Sequence, residues 1–300
     1  MRMHIISLTV LASSTAMLSA QSTMPPSEPL DVLGTMTIAE ALASDDGFWL
    51  EEGRAAYTPQ AEVVADLTTA LGDVDSVVVF YGSWCGDSRR EVPKMLATLR
   101  AADFPEGRVV LVGVGDASDD RVGYKQSPDG ATEGEAIYRV PTAIFRSGER
   151  ELGRLLEKPK LSVERDFLAI ASGGPYEHAY PVLGALAELD EAGLLDDANV
   201  LGYALAHTLE PHAYAANALN SAGYVLLAQK RGEAAVKVLA ANARLFPDEA
   251  NAYDSLAEVL AEVRGPEAAV PYQRRALELA PGDAEILANL EKYIAAAAAP

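Results

Sequence analysis

Apolar residues fall into two regimes of spacing along this chain. Between about residues 35 and 172, short β-branched runs alternate with stretches whose apolar positions recur every three or four residues; beyond 173 only the helical spacing persists. The runs at 77–81 (Val-Val-Val-Phe-Tyr) and 109–114 (Val-Val-Leu-Val-Gly-Val) are continuous and of strand length, the pattern of strands buried on both faces of a parallel sheet. Helical spacing between them, through Met95, Leu96 and Leu99, makes a βαβ unit with a right-handed crossover. A hairpin follows: 143–146, a Ser147-Gly148 turn, then 151–156. Short helices are predicted at 38–43, at 61–71 behind Thr58-Pro59, and at 162–171, after which Ser172-Gly173-Gly174-Pro175 breaks the chain into a second region. Phe48, Trp49 and Tyr57 cluster between the first two helices, where they serve as core or border a groove.

The second region is rich in Ala, Leu and Glu. Helices are predicted at 181–192 and 200–207, and from residue 216 the sequence repeats with a period of about 34. Pro247 recurs as Pro281, Ala235 as Ala269, and Gly223 is matched by Ala257. Each repeat reads as two antiparallel helices. Small residues allow close approach, Leu219, Leu226 and Leu239, then Tyr253, Leu256 and Leu260, fill the layer between, and 283–294 forms a covering helix.

The first twenty residues place Arg2 before an apolar stretch at 5–11, with small residues up to Ala20. That is the layout of a secretory signal peptide cleaved near Ala20, and the serines and threonine at 13–15 interrupt it too soon for a transmembrane anchor. Export, to a bacterial periplasm or medium, is the expectation, with no membrane insertion after cleavage. Pro25, Pro26 and Pro29 make 21–34 an extended leader. The formal charge of −20 repels nucleic acid and anionic lipid alike.

Composition narrows the chemistry to one residue. Cys85 is the only cysteine, the four histidines have no metal-ligand spacing, and no metal or other cofactor is expected. The acidic residues of 116–130 lack the alternation a calcium loop requires, and the stretch reads as a solvated loop. Cys85 itself stands where the first strand turns into a helix, beside unpaired N–H groups and the positive end of the helix dipole, which favour a thiolate. Asp87 opposes that charge, and Arg89 and Arg90 counter Asp87. A sole thiol forms no internal disulfide, so any covalent bond it makes is to another molecule.

Residues 80–93, Phe-Tyr-Gly-Ser-Trp-Cys-Gly-Asp-Ser-Arg-Arg-Glu-Val-Pro, resemble the active site of the thioredoxin superfamily, with Ser88 in place of the second cysteine and Pro93 where that family's helix carries a proline. Val140-Pro141 resembles the family's cis-proline pair. The resemblance implies an α/β thioredoxin-like domain at 35–172, with Cys85 as nucleophile and Ser88 offering its hydroxyl to the sulfur. Trp84, Gly86, Asp87, Val140 and Pro141 then border the substrate, Val140 by backbone pairing. The family's buried acid is replaced by Val79, so the thiol that resolves a mixed disulfide and its proton acceptor are both missing. The later repeats resemble tetratricopeptide repeats, as found fused to exported bacterial enzymes. They imply an all-α domain at 213–300 behind a helical linker at 173–212. Two functions follow as expectations. In one, the single thiol exchanges disulfides with protein thiols or a small-molecule thiol while the repeats dock a protein. In the other, the chain is a non-catalytic adaptor or chaperone-like module with a vestigial redox site.

Overall fold

The computed structural model describes residues 32–118 and 122–298. The expected signal peptide and most of the leader lie outside the described residues. An α/β unit comes first and a helical region follows.

Five strands form one mixed sheet: β1 (Gly34–Thr37), β2 (Ser76–Tyr81), β3 (Val109–Gly113), β4 (Thr142–Ser147) and β5 (Arg150–Leu156), in the order β1-β3-β2-β4-β5. The two apolar runs pair in parallel, Val77 opposite Val109 and Tyr81 opposite Gly113. Strand β4 pairs antiparallel with β2, and β5 antiparallel with β4 across a register shift at Phe145/Arg146. Central β2 explains its own composition. Val77, Val79 and Tyr81 enter the larger core beneath helices α1 (Ile38–Ala43), α2 (Gly47–Ala56), α3 (Ala61–Ala70), α4 (Gly86–Ala101) and α5 (Val163–Ala171), whereas Phe80 faces a second apolar layer with Val112, Val140 and Ile144. Alternate residues of a strand point to opposite faces, so a strand buried on both sides has no polar position to spare.

Two elements were not legible in the hydrophobic pattern. Strand β1, Gly-Thr-Met-Thr, pairs antiparallel with β3, and Val32 just before it is buried. Helix α2 buries Trp49 and Leu50 while leaving Phe48 exposed, and it lies so close to α4 that a Cβ on Gly53 would stand 2.6 Å from Pro93. Of the aromatic cluster, Trp49 is therefore core.

Helices α6 (Pro181–Glu191) and α7 (Gly202–Leu209) lead into α8 (Ala216–Ala228), α9 (Gly232–Leu245), α10 (Ala250–Arg264), α11 (Pro266–Leu279) and α12 (Ala284–Ala297). Helices α8, α10 and α12 begin about 34 residues apart, as do α9 and α11. Leu219, Leu226, Leu239, Leu256 and Leu260 are buried between them, and a Cβ on Gly223 would meet Leu239 at 2.5 Å. A buried polar thread runs through the same layer: Asn242 donates to Asn220 Oδ1 at 2.7 Å, and Asn220 donates to Ser255 Oγ at 2.9 Å. None of the helices among the described residues is long and apolar enough to cross a membrane.

The two regions meet in the core of the helical region. Tyr138 and Leu156 of the α/β unit belong to the same buried cluster as Leu186, Leu209, Leu219 and Val225. Polar contacts reinforce the seam. The Tyr138 hydroxyl donates to Asp190 at 2.7 Å, and Arg231 grips Asp190 and Asp196.

Candidate functional site

Cys85 follows the C-terminal end of β2 and is the N-cap residue of α4. The chain turns there because Cys85 N–H donates to Gly82 C=O at 2.9 Å, while Cys85 C=O accepts from Arg89 N–H at 3.0 Å as the first bond of the helix. Gly82 makes room for the turn: a Cβ there would lie 2.5 Å from the Trp84 ring. The half-buried thiol donates to Val140 C=O at 3.5 Å, a long S–H contact across to the segment before β4. The Val140–Pro141 peptide bond is cis.

Ser88 does not do what the motif implied. It is fully buried, and its hydroxyl accepts from Gly82 N–H at 3.2 Å rather than meeting the Cys85 sulfur. The reason is direction: side chains on a helix lean toward its N-terminus, and from the first turn of α4 the open donor in reach is the backbone of the strand-to-helix turn. Ser88 thus braces the loop that carries Cys85. Asp87 is held by Arg90, which also donates to buried Glu91 at 2.7 Å, and Arg89 donates to Ser83 C=O at 2.5 Å.

A cavity of about 910 Å³ opens beside the thiol. Trp84, Cys85 and Val140 line it from the α/β unit, and Ser221, Tyr224 and Glu258 from the helical region. Of the residues the motif nominated, Gly86, Asp87, Ser88 and Pro141 do not line it. Trp84 is positioned by its indole N–H, which donates to Val114 C=O at 3.0 Å, and by Tyr124, 6.2 Å away between ring centroids.

The loop after β3 is exposed at Ala117, Ser118, Pro128 and Asp129, but it is not solvated throughout as its polarity suggested. Lys125, Gln126, Ser127 and Thr132 are buried. The loop is folded back by a reciprocal backbone pair, Gly115 N–H to Gln126 C=O at 3.0 Å and Lys125 N–H to Gly115 C=O at 2.9 Å. Its polar groups are satisfied internally, which is what lets such a sequence be buried. Lys125 has φ of 56°, an uncommon setting for a residue with a side chain, and it is one of the residues lining the cavity. There it donates to Tyr124 Oη at 2.6 Å, Ser221 Oγ at 2.6 Å and Tyr138 C=O at 3.1 Å. Every one of these partners is neutral. Burial, aided by nearby Arg139, lowers the Lys125 pKa to about 7, with Cys85 and Glu157 pulling the other way. Arg139 itself pairs with Glu157 at 2.8 Å and reaches Asn217 C=O at 3.2 Å.

Sequence reasoning passed over a buried acid as well. Asp46, at the start of α2, is fully buried, and its burial raises its pKa against the pull of Trp49 and Arg89. The signal that could have found Lys125 and Asp46 is weak, since both sit in polar stretches whose burial depends on packing elsewhere. No protein-family model matches the chain, and no curated protein matches it.

Proposed function

We propose that the chain is a thioredoxin-like unit joined to tetratricopeptide-type repeats, exported, and active in thiol–disulfide exchange or isomerisation through Cys85 alone. The observation that carries this reading is the position of Cys85: an N-cap thiol after the central strand, half-buried on the edge of a cavity large enough for a substrate. In the first step the Cys85 thiolate attacks a disulfide R–S–S–R′, forming Cys85–S–S–R and releasing R′S⁻. An external or substrate thiol R″SH, after losing its proton, then attacks the mixed disulfide, giving R–S–S–R″ and restoring the Cys85 thiolate. No second protein thiol is required. The repeats, on this reading, serve as one wall of the substrate site as well as a surface for protein docking.

The test is direct. Incubation with 2-hydroxyethyl disulfide should add one half-disulfide to Cys85 by mass, reversed by a small thiol, and the wild type should catalyse turnover between disulfide and thiol. Cys85→Ala should abolish both. A thiol that reacts only on unfolding would refute the proposal.

A second reading, a binding adaptor, draws on the mixed wall of the cavity, to which the helical region contributes Ser221, Tyr224 and Glu258. It requires partner binding that Cys85→Ala leaves intact.

A further inference from the structure

Exchange through a single thiol poses a proton problem at each step. An alkyl thiolate released near neutral pH must gain a proton, and the incoming thiol must lose one. Val79 cannot serve, and Ser88, whose hydroxyl accepts from Gly82 N–H, is fully buried and does not line the cavity. The cavity supplies another group. Lys125 and Cys85 both line it, and they hydrogen-bond carbonyls two residues apart in one segment, Tyr138 for the ammonium and Val140 for the thiol.

Resting on the exchange reading above, we propose that Lys125 is the acid–base residue of this site, giving a proton to the leaving thiolate and taking one from the incoming thiol. As R′S⁻ departs, Lys125–NH₃⁺ protonates it to R′SH and becomes Lys125–NH₂. When R″SH enters, the amine removes its proton, R″S⁻ attacks Cys85–S–S–R, and the ammonium and the Cys85 thiolate are regenerated together. The balance is R–S–S–R′ + R″SH → R–S–S–R″ + R′SH, with no external oxidant or reductant.

Three features support the assignment. The ammonium has only neutral partners among the described residues, so no carboxylate locks it in the charged form. The amine, once neutral, can accept from the Tyr124 hydroxyl that previously accepted from it. Its pKa of about 7 also allows both protonation states near neutral pH, as an acid–base catalyst needs. The charged and titratable groups around it are Cys85, Tyr124, Arg139 and Glu157 on its own side, with Tyr224, Lys230, Glu258 and Glu262 facing the cavity from the helical region. Arg139 and Glu157 neutralise each other. Ser221 makes the site composite. Its hydroxyl accepts from Lys125 and donates to Tyr138 C=O at 2.8 Å, so a residue of α8 sets where the amine stands.

The decisive experiment compares two disulfide probes on the full chain between pH 6 and 9. The thiolate leaving from 2-hydroxyethyl disulfide needs a proton near neutral pH; the thiopyridone leaving from dipyridyl disulfide does not. Lys125→Met should lower the ratio of alkyl to pyridyl rates by about 10²-fold and remove the fall in the alkyl rate above about pH 7. Lys125→Arg, which keeps the charge but holds its proton, should behave like Lys125→Met, and Ser221→Ala should lower the ratio by a smaller factor. An unchanged ratio in Lys125→Met, or restoration by Lys125→Arg, overturns the assignment while leaving exchange through Cys85 standing. Wild-type protein inert to both probes overturns exchange and this assignment with it. Should Lys125→Met fail to fold, Ser221→Ala read against the same two probes decides: an unchanged ratio overturns, a lowered one supports.

Discussion

A buried lysine with a lowered pKa leaves a mark on stability that can be measured without any substrate. Unfolded, Lys125 titrates in the ordinary lysine range; folded, at about 7. Between those values the unfolded chain holds a proton that the folded chain has lost, so stability rises as pH rises through that interval. Integrating the difference from pH 7 to pH 9 gives a gain of about 2 kcal/mol, or about 4 °C in Tm for a chain of this size. Lys125→Met removes that gain. At pH 7 the variant should be no less stable than the wild type, because it no longer buries an amine and Tyr138 C=O keeps its bond from the Ser221 hydroxyl. Comparison with the variant isolates the amine, because Cys85 and every other titratable group is common to both proteins. Buried His178, its pKa lowered by burial, contributes below the usual histidine range, and the buried tyrosines, their pKa values raised, contribute above it. The assay is thermal unfolding of both proteins in buffers matched for ionic strength at half-unit steps. Parallel curves for wild type and variant would show that Lys125 is charged like any surface lysine and refute the reasoning.

Other perturbations test the remaining supports. Gly82→Ala puts a methyl group into the Trp84 ring, breaks its bond to Val114 C=O, and should cost about 1–3 kcal/mol; in a Trp49→Phe background the Trp84 emission should shift to the red, and an unmoved spectrum would contradict the packing. Asn220→Ala strands the Asn242 amide and the Ser255 hydroxyl inside the helical layer, and should lower stability by about 2–3 kcal/mol in urea unfolding. Asp190→Ala leaves the buried Tyr138 hydroxyl and Arg231 without their shared partner. It should speed hydrogen exchange in α6 and in the segment before β4, and unchanged protection would mean the apolar seam alone holds the two regions together.

How much of this was legible beforehand depends on whether an element carries its own evidence. Strands β2 and β3 announce themselves because central strands need apolar residues on both faces, and α4 because Val92, Met95, Leu96 and Leu99 keep a helical spacing along its second half. The helices beyond 216 show in their repetition. Strand β1 has four residues and no apolar run, and takes its shape from the open edge of β3. Helix α2, with Gly47 and Gly53 in ten residues, is a poor helix former that is held by packing on α4. In both, tertiary contact outweighed local preference.

The site divides in the same way. The strand-to-helix turn was readable around Cys85, since a β-branched run, a glycine and a helical period are local facts. The sequence by itself therefore determined where the one thiol stands and that nothing else in the chain can form a disulfide with it. Tertiary structure decided its company. It turned the Ser88 hydroxyl away to Gly82, buried Lys125 from a loop polar enough to pass for solvated, and brought Ser221 from nearly a hundred residues along the chain to hold the amine. The physical reason is that a polar group's burial is set by whether distant groups satisfy its hydrogen bonds, and those partners meet only when the two regions pack together.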